Sequence, residues 1–197
     1  MNDIILKLEN HKRWIDSLGK LGEKLNLDEC DLRELDYSKY SFKQGSITDC
    51  KFDESELNNI DFYAATLCSS SFKNSILKEV DFHKGELSYT DFYKAYIRCC
   101  RFSKCDISEA DFRYCKIEDS NLVNTILYMT DFSYAELSNV DVSRASFDET
   151  IVRGIKLKNI ISLEEAQIES INIGTYEEPQ LLYEEEARTW FQDIIEG

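Results

Sequence analysis

Residues 80–114 read VDFHK GELSY TDFYK AYIRC CRFSK CDISE ADFRY, seven blocks of five whose third place is always Phe, Leu or Ile. Stepping outward by five in both directions keeps this register from Leu27 to Leu157. Its 27 consecutive places hold only Leu, Ile, Val, Phe or Tyr, and they take ten of the 11 Phe residues. A period of five matches neither the 3.6 of a helix nor the two of a strand. It requires a chain that turns through a fixed angle at every pentad, and such repeats stack into solenoids.

A second row lies two places before each centre. Between residues 30 and 155 it has 26 members, of which 20 are Ala, Cys, Gly, Ser or Thr and none is charged. Each pentad therefore sends one large and one small side chain inward and shows the rest to solvent. Phe and aliphatic centres alternate without exception from Phe42 to Phe112. With four pentads per coil, Phe residues 52, 72 and 92 would face 62, 82 and 102 across the bore, with Leu and Ile on the other two walls. That filling would pack the bore to ordinary interior density.

Ala110-Asp111-Phe112-Arg113-Tyr114 and Ala135-Glu136-Leu137-Ser138-Asn139 closely resemble the unit of the pentapeptide-repeat family: Ala, Asp or Asn, Leu, then two variable residues. The resemblance covers residues 26–161. It implies an all-β solenoid, a right-handed quadrilateral β-helix of about seven coils and roughly 30 Å at ~4.8 Å per coil. More distantly, the chain is similar to the fluoroquinolone-resistance members of that family. These are acidic rods that dimerise through their C-terminal ends and mimic DNA toward type II topoisomerases.

Both ends predict caps. In residues 1–25, Asp3 is placed to cap a helix whose apolar positions Ile4, Leu8, His11, Ile15 and Leu18 are spaced 4, 3, 4 and 3. Trp14 flanks that stripe, Gly19 and Gly22 end the helix, and His11 reads as a packed cap residue. The H-x-x-W pair of His11 and Trp14 also looks like a leader common ahead of such repeats. The register fails at Ser162, so residues 162–197 read as an irregular last coil, with Ile168, Ile171 and Ile173 inward, and then a helix. Pro179 suits that helix's first turn, and Tyr183, Ala187, Trp190 and Ile194 share a face widened by Phe191 and Ile195. The helix either folds back over the last coil or pairs with a second copy, and the family resemblance makes a homodimer plausible.

Composition narrows the chemistry. Of 197 residues 38 are acidic and 23 basic, for a net charge of −15. Direct binding to nucleic acid would need clustered Lys and Arg, whereas a basic protein surface fits this charge. Seven Gly and one Pro argue against collagen-like, linker or disordered chains. No run is apolar enough to span a membrane. Seven Cys without a zinc or disulfide spacing point to a reducing cytoplasm. Cys30, Cys50, Cys100, Cys105 and Cys115 occupy the small inward row as fillers, while Cys68 and Cys99 point outward. With His11 and His83 the only histidines, no nucleophile–base pair, phosphate loop, metal site or cofactor site can be assembled. The chain reads as a non-enzyme. Asp61, Asp81, Asp91, Asp111, Asp131 and Asp141, each just before a centre, read as local hydrogen-bonding residues.

Sorting charge by position is more informative. Residues 1–26 carry +1, 27–161 carry −7 and 162–197 carry −9. On a 20-residue coil, the wall of Phe52, Phe72 and Phe92 shows seven acids and six bases, the next wall six of each, and the wall of Phe62, Phe82 and Phe102 three acids and five bases. The wall centred on Leu27, Ile47, Leu67, Leu87, Ile107, Leu127 and Phe147 has eight acids and no Lys or Arg: Asp28, Glu29, Asp49, Glu86, Asp106, Glu109, Asp148 and Glu149. Tyr89, Ile126, Tyr128 and Met129 share it, and interfaces favour such aromatic and Met anchors. The expectation is a protein-interaction scaffold that uses this wall, the C-terminal helix, or both. The alternative is a DNA-mimic modulator of DNA gyrase or topoisomerase IV.

Overall fold

A computed structural model describes residues 2–196, from helix α1 (Asn2–Asp16) to helix α2 (Glu184–Glu196). Thirteen short strands lie between them: β1 (Asn26–Asp28), β2 (Ser46–Thr48), β3 (Glu56–Asn58), β4 (Ile76–Lys78), β5 (Tyr96–Arg98), β6 (Lys116–Glu118), β7 (Glu136–Ser138), β8 (Ser146–Phe147), β9 (Thr150–Ile151), β10 (Lys156–Lys158), β11 (Gln167–Ile168), β12 (Ser170–Asn172) and β13 (Leu181–Tyr183). One wall is a parallel sheet in the order β3–β4–β5–β6–β7–β10. It aligns Leu57, Leu77, Ile97, Ile117, Leu137 and Leu157 in steps of 20 residues. The other three walls keep the same step, as in Asp61, Asp81, Arg101, Asn121, Asp141 and Ile161. Four pentads thus close each coil of a right-handed quadrilateral β-helix of about seven turns.

The bend at each corner has a local cause. On most pentads outside the sheet wall, the amide three residues after a centre donates to that centre's carbonyl, Ala65 to Phe62 at 2.9 Å and Ala135 to Phe132 at 3.0 Å. The residue between has positive φ, +53° at Ala64 and +59° at Tyr134. This is the type II turn pattern, a position that normally selects Gly. Here ordinary residues fill it, because their amides are held by the next coil, as Ala64 donates to the His83 carbonyl at 2.9 Å.

Inside the bore the Phe residues form two columns. Phe52, Phe72, Phe92 and Phe112 stack at 4.5–5.0 Å, and Phe42, Phe62, Phe82 and Phe102 at 4.8–5.3 Å. The columns meet edge to face, Phe72 on Phe82 at 6.1 Å and 90°, an arrangement that ring quadrupoles favour. The small row also does more than fill space. Thr90, Thr125, Thr130 and Thr150 donate their hydroxyls to the carbonyl of a centre in the preceding coil, at 2.7–3.1 Å. Cys105 and Cys115 make the same contact to Phe82 and Phe92 at 2.9 and 2.7 Å. Burial pushes the Cys100 and Cys105 thiols up to about 12, so they remain protonated donors. Cys as filler is therefore incomplete, since at these places it substitutes for Ser or Thr.

α1 lays Leu8 and His11, both essentially unexposed, on the first coil. The Leu25 amide donates to His11 Nδ1 at 3.0 Å, and the ring stacks on Trp14 at 5.7 Å. Asp3 lies within the first helical turn rather than before it. Over Tyr37–Lys39 the chain forms a 3₁₀ turn instead of a strand. The Tyr37 ring stays inside, and its hydroxyl donates to the Leu32 carbonyl at 2.5 Å.

At the other end the step lengthens to 21 residues, pairing Ile168 with Phe147. The extra residue is absorbed at Ser162–Glu165, where Ser162 has φ +56° and a 3₁₀ turn follows. Ile168 and Ile171 are buried and Ile173 half-buried. Two sequence expectations for the last helix are corrected. Pro179 precedes β13 rather than opening the helix, and Tyr183 belongs to β13, which pairs antiparallel with β12. The free edge of β12 attracts this strand before the helix can begin. α2 then turns back over the last coil, burying Ala187 and Phe191, with Phe191 against Phe147 at 5.6 Å. A cavity of about 20 Å³ remains where Val142 and Val152 replace Phe in the bore.

Candidate interaction face

Every residue singled out on the basic-free wall falls on one face. Bridges between successive coils join Ser46, Thr66, Glu86, Asp106, Ile126 and Ser146 in a column along one edge of it. The left-handed turn places Asp49, Tyr89, Glu109, Met129 and Glu149 along the other edge, with φ between +49° and +61°. Between them run Tyr128 and Asp148. Asp49, Glu86, Glu109, Tyr89, Ile126 and Tyr128 are exposed, and Asp106, Met129, Asp148 and Glu149 are half-buried. Tyr89 is 58% exposed and Ile126 47%, high values for side chains of this type.

The carboxylates are held by this wall's own donors. Tyr89 donates to Glu109 at 2.9 Å, the Ser108 amide to Asp106 at 3.0 Å, and Ser170 to Asp148 at 3.0 Å. Among the described residues, none of the eight acids forms an ion pair. Each of the other walls pairs carboxylates with cations: Asp111 with Arg113 at 2.6 Å, Glu136 with Lys156 at 2.7 Å and Asp81 with Arg101 at 3.4 Å. The negative field registers on Tyr128, whose hydroxyl is pushed up first by partial desolvation and then by Glu149, Asp148 and Glu109.

The 20-residue map missed two members of the face. With the last coil one residue longer, Glu169 stands beside Asp148, its amide donating to the Phe147 carbonyl at 2.9 Å. Tyr176, 64% exposed, comes from the loop before β13 and lies near enough to act on the Tyr89 and Tyr128 hydroxyls. The break at Ser162 was the signal for Glu169, while the loop carrying Tyr176 follows no repeat.

The C-terminal candidates separate. Ala187 and Phe191 are inside the cap, Trp190 and Ile194 are half-buried and Tyr183 is exposed. His83, on an outward position, is only 9% exposed. Its Nδ1 shares a 2.6 Å hydrogen bond with Ser103 one coil away, and Tyr63 lies against its ring. The outward Asp residues act locally, Asp61, Asp81, Asp91, Asp111, Asp131 and Asp141 each accepting the amide two residues on at 2.8–2.9 Å. Hollows of some size lie elsewhere, such as one of about 380 Å³ along β6, β7 and β10 and one of about 550 Å³ beside Asp31 and Asp53. Both are open and lined by charged or exposed side chains, so the candidate face is a flat surface and not a pocket. Among the described residues no group of three His, Cys, Asp or Glu is arranged for a metal ion, and no helix is long and apolar enough to cross a membrane.

These features define a repeat protein of the solenoid class, four-walled and capped by a helix at each end. The family model described as pentapeptide repeats matches it in eight copies, over residues 46–83, 75–113, 86–124 and 110–148. The matched span is just over half of the chain, which belongs to the pentapeptide-repeat family. Solved structures similar to it include a pentapeptide-repeat protein from the Arabidopsis thaliana thylakoid lumen, 14% identical, with a TM-score of 0.47 over 63% of this chain and 72% of that one. A trypsin-treated form of QnrB1, a plasmid-mediated fluoroquinolone resistance protein, is 14% identical with a TM-score of 0.40 over 78% and 91%. HetL, involved in heterocyst differentiation regulation in the cyanobacterium Nostoc, is 17% identical with a TM-score of 0.29 over 82% and 94%. None of the curated proteins matches the chain in sequence.

Proposed function

We propose that this protein is a non-enzymatic interaction scaffold whose basic-free wall receives a partner protein with a basic surface. The observation that carries this reading is the set of eight carboxylates without ion pairs, on a molecule each of whose other three walls pairs at least one carboxylate with a cation. Like charges directly opposite in neighbouring strands destabilise a sheet, so the column Glu86–Asp106 costs the free protein stability that a bound cation would return. Reversing Glu86, Asp106 and Glu109 to Lys should remove basic proteins from those the immobilised rod captures. Reversing Glu56 and Glu79 on the sheet wall should not. An unchanged set after the first substitution overturns the reading.

Imitation of duplex DNA toward a type II topoisomerase is a second reading, and it draws on the same column of unpaired carboxylates. It ranks behind the first because, within the coils, the net negative charge lies on one wall while the other three are close to neutral or slightly basic, whereas a duplex is charged all round. A gyrase supercoiling assay with purified protein separates the two: neither inhibition nor quinolone protection removes the mimic. Self-association is a further proposal. It would use Trp190 and Ile194 of α2 together with Tyr183 of β13, because Ala187 and Phe191 are committed to the cap. Sedimentation of the wild type as a monomer overturns it.

A further inference from the structure

We infer that the basic-free wall is shaped for a basic amphipathic α-helix lying along the rod axis, with one apolar side chain between two cationic ones on a single stripe. The inference rests on the scaffold reading and specifies its partner. Ile126, Tyr128 and Met129 occupy one coil and form an apolar step. The coil before it presents Asp106 and Glu109, the coil after it presents Asp148 and Glu149, and Glu169 follows one coil further on. Along the axis the wall therefore reads acid, apolar, acid.

The spacing selects the partner's conformation. Coils repeat at ~4.8 Å, and a helix advances ~5.4 Å per turn. Two turns and two coils then differ by only about 1 Å, so residues at i, i+3 or i+4, and i+7 meet three successive coils. An extended chain running the same way presents same-side residues every ~6.7 Å and falls out of step by about 4 Å over the same distance. Strand addition is closed to it as well. Along this wall the amides of Leu87, Tyr89, Ile107, Glu109, Leu127 and Met129 already bond the next coil at 2.7–3.1 Å. The outward columns span about three residues, roughly 10 Å across, which is the width of a helix. Tyr89, two coils before the apolar step, and Tyr176 are both exposed and offer aromatic cover to a helix flank.

The test uses the full-length protein and a fluorescein-labelled helical peptide with one Leu flanked at i−4 and i+3 by Arg, read by fluorescence anisotropy. A scrambled peptide of the same composition and a copy broken by proline accompany it. The helical peptide should bind roughly tenfold tighter than either control. Ile126→Glu should remove that advantage, whereas Lys78→Glu on the sheet wall should not. Glu86→Gln with Asp106→Asn should weaken binding while leaving the melting temperature level or higher, which separates recognition from folding. Equal binding of the scrambled peptide overturns the helix and leaves a charge-only scaffold. No binding of any peptide at low salt overturns the scaffold reading with it.

Discussion

Phe82 shows what one inward ring contributes. It touches Phe62 and Phe102 in its own column and Phe72 and Phe92 across the bore. Phe82→Ala should therefore cost about 3–5 kcal/mol, measured by denaturant unfolding, and an unchanged midpoint would contradict the packing. Thr130→Val keeps the shape but strips the donor from the Ile107 carbonyl. It should cost about 1–3 kcal/mol, whereas Cys105→Ser, which keeps a donor toward Phe82, should cost less. Sequence showed which residues point inward and that the Asp before each centre bonds locally. It could not show that Thr and Cys of the small row donate between coils, because volume and polarity look alike in a list of small residues. Nor could it show His83 buried, since that depends on Tyr63 and Ser103 meeting it from neighbouring coils.

The caps respond to different variables. Burial holds His11 below its ordinary value of 6.5, against the raising effect of the Lys43 carbonyl, and His83 is lowered in the same sense. The unfolded chain thus takes up protons that the folded one refuses. Stability is fully present above about pH 6.5 and declines as pH falls below it. Melting curves from about pH 8 down to 5.5 should show this fall, and His11→Asn should flatten it. At the other end, Phe191→Ala should loosen α2 from Phe147 and speed hydrogen exchange first in residues 142–173, with the Phe columns still protected. Both helices were legible from their apolar spacing. The strand at Leu181–Tyr183 was not, because three residues leave no periodic trace and its cause, the open edge of β12, exists only once the last coil has formed.

Across the whole molecule, the net charge of −15 is a sum over walls of different character. The coil period made that distribution legible, and it failed only where the period changed, at the single residue inserted after Ile161. Glu86→Gln with Asp106→Asn is expected to hold or raise the melting temperature, the usual sign of a surface kept for recognition at some expense to stability. A shift downward would mean that the column stabilises the fold. The 20-residue step has a further consequence. Because each coil stacks on the last without change of register, a duplicated coil would push the lower acids about 4.8 Å farther from Glu86 and leave them on the same wall. The distance between binding groups can thus be changed in whole divisions with their orientation preserved, as marks are spaced along a ruler. A rod lengthened by one coil between Asp106 and Ile126 should prefer a partner whose contacts lie one helical turn farther apart.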